Sequence, residues 1–112
     1  MKTFIVLIII GFVQLTACHK SSNDKPATNC LEQKILEFSK SSSCNNSKVD
    51  EYLFQGKSVF VFDPGNCGAD MALNVLNSDC LLLGFLGGIS GNTKINGEEF
   101  SNAKFIKTWW EN

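Results

Sequence analysis

Four cysteines spread through the last three-quarters of a 112-residue chain set the tightest limit on its fold. Cys30, Cys44, Cys67 and Cys80 are separated by 13, 22 and 12 intervening residues. Zinc-binding pairs usually stand two to four residues apart, so this spacing argues against a metal site. The chain opens with Lys2 and a ten-residue apolar run, Phe4 to Val13. A bilayer span needs about 20 residues, so the run fits a secretory leader instead. Export places the cysteines where thiols oxidise, and an even number then reads as two disulfides. Four cysteines allow three pairings. Loop closure favours the local pairs Cys30–Cys44 and Cys67–Cys80. A helix packed antiparallel to the first strand would instead bring Cys44 near Cys67 and Cys80. A domain of about 80 residues buries only some 60–65% of its unfolded surface, so such cross-links matter.

The leader closes on Leu15-Thr16-Ala17-Cys18. This resembles the lipobox of bacterial lipoproteins, with leucine, two small residues and then the cysteine. The resemblance implies that the Cys18 thiol receives a diacylglycerol, that residues 1–17 are removed, and that Cys18 becomes the mature N-terminus. Two or three acyl chains anchor stably where one is marginal. The membrane is therefore an expected partner, through lipid on Cys18. Residues 18–29 then form a polar tether, HKSSNDKPATN after the cysteine. His19 is the only histidine in the chain. In lipoproteins of two-membrane bacteria, a residue other than Asp after the lipidated cysteine goes with outer-membrane sorting. The resemblance thus implies a cell-envelope location, the outer membrane rather than the inner.

Residues 30–112 read as one small α+β domain: an N-terminal helix packed on a small antiparallel sheet and stapled by disulfides. Asn29 to Lys40 has helical periodicity, with Asn29 as N-cap, Glu32 completing a capping box, and Leu31, Ile35 and Phe38 on one stripe. Val49–Gln55 and Ser58–Asp63 read as a hairpin closed at Gly56. Phe60 and Phe62 share one face of the second strand and Val59 and Val61 the other, which predicts a central strand covered on both sides. Asp63-Pro64-Gly65-Asn66 is a turn. Cys67 to Asp79 fits either a short helix or an irregular strand. Cys80 to Leu86 reads as a buried strand, and Lys104 to Trp110 as a last strand with helix as the alternative.

The order of these features is similar to a family of small bacterial lipoproteins whose domain has no assigned function. The features are a helix opening with Cys30, the hairpin Gln55-Gly56-Lys57-Ser58 with the alternation Val59 to Phe62, a cysteine loop, and Gly87-Gly88-Ile89-Ser90-Gly91 before a second turn. Members often carry further cysteines after the Gly-Gly step. Here Asn92 to Gly97 has none, so the family's cysteine framework carries over only in part. The resemblance implies no activity.

Function classes narrow by chemistry. All ten basic residues are lysine, and arginine is the usual bidentate reader of phosphates and guanine, so nucleic acid is not an expected partner. The formal charge moves from −1 to −2 once Lys2 leaves with the leader. The glycines from Gly84 to Gly91 match neither GxxxxGK[ST] nor GxGxxG and read as turn residues. Asp63, Asn66, Asp70 and Asp79 lack the alternating ligand pattern of a calcium loop. A nucleophilic triad needs a histidine inside the fold, and His19 sits in the tether. No cofactor is expected and no catalytic residue is assigned. The expectation is a non-catalytic binding or structural module with an envelope protein as a possible partner. The alternative is a small hydrolase or ligand-binding protein using carboxylates among Glu98, Glu99 and Asp79. Trp109 and Trp110 read as core, with partner contact as the alternative.

Overall fold

The computed structural model describes residues 26–112. The leader, Cys18, His19 and most of the tether lie outside the described residues. Helix α1 (Pro26–Ser41) is followed by β1 (Lys48–Phe54), β2 (Lys57–Asp63), β3 (Ala72–Asn77) and β4 (Leu82–Gly87). A two-stranded ribbon, β5 (Lys94–Ile95) and β6 (Glu98–Glu99), then leads through the 3₁₀ turn Phe100–Asn102 into β7 (Lys104–Glu111). The main sheet has the order β4-β3-β2-β1-β7. Every pairing in it is antiparallel. Strands β1 to β4 form a meander. The chain from Gly88 to Ala103 then crosses one whole face of the sheet to place β7 beside β1.

Strand β2 is the centre of this arrangement. Val59, Phe60, Val61 and Phe62 are all buried, as strict alternation of two apolar faces requires. On one side α1 lays Leu31, Ile35 and Phe38 over Val49, Phe60, Phe62 and Leu76, with Trp109 and Trp110 closing the cluster. Phe38 meets Phe62 and Trp110 edge-on at 5.3 and 5.8 Å between ring centroids. On the other side the crossover covers Phe54, Val59, Val61 and Val75 with Ile95 and Phe100. Gly84 makes room there: a Cβ on it would stand 3.2 Å from the Ile95 side chain, which is itself 1% exposed. The fold is thus α+β in three layers, helix, sheet and crossover.

Several sequence readings change. The helix begins at Pro26 rather than at Asn29, so Asn29 lies within the helix and is not its cap. Proline suits a first helical position because the N–H it lacks has no partner there. The ambiguous segment before Cys80 is strand β3, committed by its pairing with β2 and β4. Strand β4 is an edge strand and not a buried one: Leu82 is 60% exposed and Phe85 48%. One helix about 10 Å wide cannot cover five strands spaced 4.8 Å apart, so the β4 margin of the helix side stays open. Phe105 and Ile106, on the opposite edge, are also exposed.

The local disulfide pairing is overturned. Cys30 pairs with Cys80 and Cys44 with Cys67, at Cα separations of 6.3 and 5.1 Å. The helix runs antiparallel to β1, so its start lies at the β3–β4 turn and its end at the β2–β3 loop. The start of α1 and the loop that follows its end are therefore each cross-linked to the nearest sheet connection. The second link is reinforced by an Asn45–Asn66 bridge and by buried Ser47, whose hydroxyl donates to the Pro64 carbonyl at 2.8 Å. Gly65 passes so close that a Cβ would fall 2.2 Å from the Asn45 carbonyl oxygen, and its φ is +82°.

Non-reducing peptide mapping should return Cys30–Cys80 and Cys44–Cys67 and no local pair. From the chain lengths they span, replacing either pair by alanine should lower unfolding free energy by about 3–4 kcal/mol. Gly65→Ala should cost about 1–3 kcal/mol for the left-handed backbone alone, with the steric clash added. Denaturant melts of the oxidised protein read both.

Candidate functional site

The crossover does not lie flat on the sheet. Where it leaves β4 and descends toward β7 it stands off the β1 side and borders a shallow, open cleft of about 490 Å³. The floor is Tyr52, Leu86, Phe100 and Ala103, and the polar rim is Asn92, Thr93, Glu99 and Ser101. Each part is positioned by an identifiable local cause. Alternation along β1 puts Tyr52 on the crossover side, where its ring meets Phe100 and Phe105 edge-on at 5.2 and 5.7 Å. Asn92 fixes the departure from β4. Its backbone exchanges hydrogen bonds with Gly87, and its side-chain amide donates to the carbonyls of Phe85 and Lys94 at 2.6 and 2.8 Å. Thr93 donates to the Glu99 carboxylate at 3.2 Å, tying the two sides of the ribbon. The result is an aromatic floor with a hydroxyl and carboxylate rim, the composition of a small-ligand or peptide-binding cleft.

The carboxylates weighed for hydrolysis do not converge. Glu98 and Glu99 are adjacent on a strand and point to opposite sides. Glu98 accepts from Gln55 at 3.0 Å and from Asn102 at 2.9 Å. These two amides hold its carboxyl below the usual carboxylate range, Gln55 contributing most. A general acid needs the opposite shift. Asp79 lies in the β3–β4 turn, beside the Cys30–Cys80 link and on the other side of the sheet. Among the described residues no group of three or more His, Cys, Asp or Glu is placed to hold a metal ion. Trp109 and Trp110 are partly buried against the helix cluster.

Two acids that sequence reading passed over fasten the cleft's wall. Neighbouring residues Asp50 and Glu51 grip β7 from opposite faces of β1. Asp50, 3% exposed, accepts from the Thr108 hydroxyl at 2.7 Å and pairs with Lys48 at 3.3 Å. Glu51 accepts from the Trp109 indole at 3.0 Å and the Ser58 hydroxyl at 2.7 Å. β7 carries two register irregularities against β1, so its backbone ladder is interrupted, and these side-chain bonds hold it across the gaps. A buried acid beside a strand threonine has no local sequence signature.

A second, smaller groove of about 300 Å³ lies on the helix side, between α1 and the β3–β4 margin, and includes Lys34, Phe38, Asn74 and Leu82. Fold and cleft together define a small disulfide-stapled α+β domain, with one helix on one face of an antiparallel sheet and an open cleft on the other. The chain belongs to the family described as Domain of unknown function (DUF6970), which matches it over residues 34–112. That match takes in the sheet, the crossover and the second half of α1, and starts after Cys30. No curated protein and no solved structure matches the chain.

Burial, and after it the Asp50 carboxylate, pushes the Tyr52 phenol up from its ordinary value near 10. The hydrogen bond and charge of Asp50 push Lys48 up as well. Both groups have folded values raised above the unfolded ones. Their stabilisation is therefore intact below about pH 10 and lost as pH rises through the folded values. Tyr52 is the only tyrosine, so a phenolate absorbance titration reads it directly. The midpoint should exceed that of free tyrosine and drop on unfolding. Thermal melts should fall above pH 10, less steeply in Tyr52→Phe.

Proposed function

We propose that this protein is a lipid-anchored component of the cell envelope whose domain is a non-catalytic binding module, with the Tyr52–Phe100 cleft as its binding site. The cleft carries the reading: it joins an aromatic floor to the rim hydroxyls of Thr93 and Ser101 and the Glu99 carboxylate in one shallow, open site. Such a site fits binding by shape and hydrogen bonding. The roles of Glu98 and Glu99 support it further, since each already serves a hydrogen bond that shapes the crossover. The anchor rests on Leu15-Thr16-Ala17-Cys18 and the ten-residue apolar run before it. His19 after the cysteine supports the outer membrane over the inner. Residues 1–17 are the leader, 18–29 the lipidated start and its link to the domain, of which 26–29 already belong to α1.

Intact-mass analysis of the membrane fraction should find an N-terminus at Cys18 with added acyl mass, and Cys18→Ser should abolish both. In-cell crosslinking should then return reproducible envelope partners for the wild type. Ser101→Trp, which fills an exposed rim position, should lose them with no change in melting temperature. Shortening the segment between Ser21 and Thr28 should lose them by cutting the domain's reach. If the cleft-filled variant keeps every partner, binding takes place elsewhere on the domain.

A further inference from the structure

Leu53, Leu81 and Leu82 are exposed at one end of the sheet, while Ile89, 89% exposed, stands at the other. At the β3–β4 turn, Leu81 is 61% exposed and Leu82 60%. Leu53, at the end of β1, is 42% exposed and lies at the same end by register, beside Ser58 of β2 and Lys104 of β7. Leu82 pairs with Leu76 and so faces the helix side, on the margin that α1 is too narrow to cover. Two lysines stand near these leucines: Lys34 lines the groove with Leu82, and Lys104 opposes Leu53 in register. Asp79 and Glu98 share this end, so the surface is apolar with a mixed rim and has no net cationic field.

The start of α1 lies at the same end. The Cys30–Cys80 link brings the helix's first turns to the residue immediately before Leu81. The chain enters the domain here. Between Cys18 and Pro26 the backbone can extend at most about 30 Å. A lipid on Cys18 would therefore attach the domain to the bilayer through this end.

We propose that Leu81 and Leu82, with Leu53 three strands away at the same end of the sheet, seat the domain on the lipid surface, so that it lies against the membrane by its β3–β4 end. This rests on the anchored reading of Cys18. The occupant is the lipid surface because the patch stands at the end where the anchored segment enters the domain. Leucines with lysines nearby also suit the interface, where apolar side chains enter the acyl boundary and lysine heads stay with the phosphates. Two or three leucines bind lipid weakly by themselves. The tether raises the local lipid concentration enough for weak contacts to be occupied most of the time. Docking in this way leaves the Tyr52 cleft, on the opposite face of the sheet, open to the aqueous side.

The test uses the full mature lipidated chain in vesicles of phosphatidylethanolamine and phosphatidylglycerol, and the same chain in intact cells. A benzophenone photoprobe replaces Leu82 in one chain and Ser101 in another, both exposed positions. Irradiation should give phospholipid adducts from position 82, identified by mass, and none from position 101. Leu81→Ser with Leu53→Ser should cut the adduct yield at position 82, with unchanged melting temperature. Intact mass of the same sample reads the acyl group on Cys18. No acyl mass overturns the anchor and this proposal with it. Acyl mass with equal or absent lipid adducts at the two positions overturns this proposal alone. A protein adduct from position 82 in cells, in place of the lipid one, assigns the patch to a protein partner and also overturns it.

Discussion

Burial of β2 on both faces is the constraint from which the rest of the architecture follows. Val59 and Val61 project one way, Phe60 and Phe62 the other, and all four are buried. Each such side chain gains about 1.5–3 kcal/mol by leaving water, so both faces of the sheet must be covered. The described residues have one α-helix to offer. The other face is left to a connection, and the crossover meets the need with very few residues: Ile95 at the tip of a two-stranded ribbon and Phe100 in a single 3₁₀ turn. The same connection has to carry the chain from one edge of the sheet to the other, because β7 pairs with β1. Cover and connectivity are solved by one segment, and the cleft is the space left where that segment arches.

Thin cover needs fasteners, and the molecule places them at the ends of elements. One disulfide ties the start of α1 to the β3–β4 turn and the other ties the loop after α1 to the β2–β3 loop, so both ends of the helix are restrained covalently. β7 arrives last and is interrupted twice in its pairing, and Asp50 and Glu51 hold it from either face. Lys107 adds a contact 4.2 Å above the Trp109 ring. A buried carboxylate such as Asp50 is costly unless paired, so it stabilises this strand only because Thr108 and Lys48 complete it. Fasteners of this kind restrict the elements that carry Tyr52 and Phe100, which is what a preformed cleft requires.

How much of this could be read from the chain depended on how local each cause is. The helix stripe Leu31, Ile35, Phe38 and the two-faced alternation of β2 are set by period alone, and both lie where the pattern puts them. The hairpin of β1 and β2 follows from a short glycine-containing link. Disulfide pairing did not follow from loop length, because the direction in which α1 crosses the sheet decides it, and direction is a tertiary property. Leu82 and Phe85 looked buried because apolar composition cannot distinguish a central strand from an edge that nothing covers. Asp50 and Glu51 resembled ordinary surface charges, since their partners lie 58 residues away. The rim of the cleft is assembled from Thr93, Glu99 and Ser101, side chains common in turns, and only the arch of the crossover brings them together over Tyr52.

The two faces of the sheet consequently meet different fates. On the helix side the cover is narrow and rigid, and what it leaves open is a margin of aliphatic edge near the helix start. On the crossover side the cover is a loop, and what it leaves open is concave and polar-rimmed. Most side chains of the crossover are free of the core: Ile95 is the only one fully buried, while Thr93, Asn96, Glu99 and Ser101 are exposed. The rim can therefore vary in shape and hydrogen bonding with little change in stability, provided that Ile95 still meets Gly84 and Phe100 still meets Tyr52. Stability is thus concentrated in the helix, the central strands and their fasteners, and recognition can be set separately in the segment that spans them. That division places the specificity of the proposed binding module in residues 92–103, on a scaffold whose core does not need to change with the ligand.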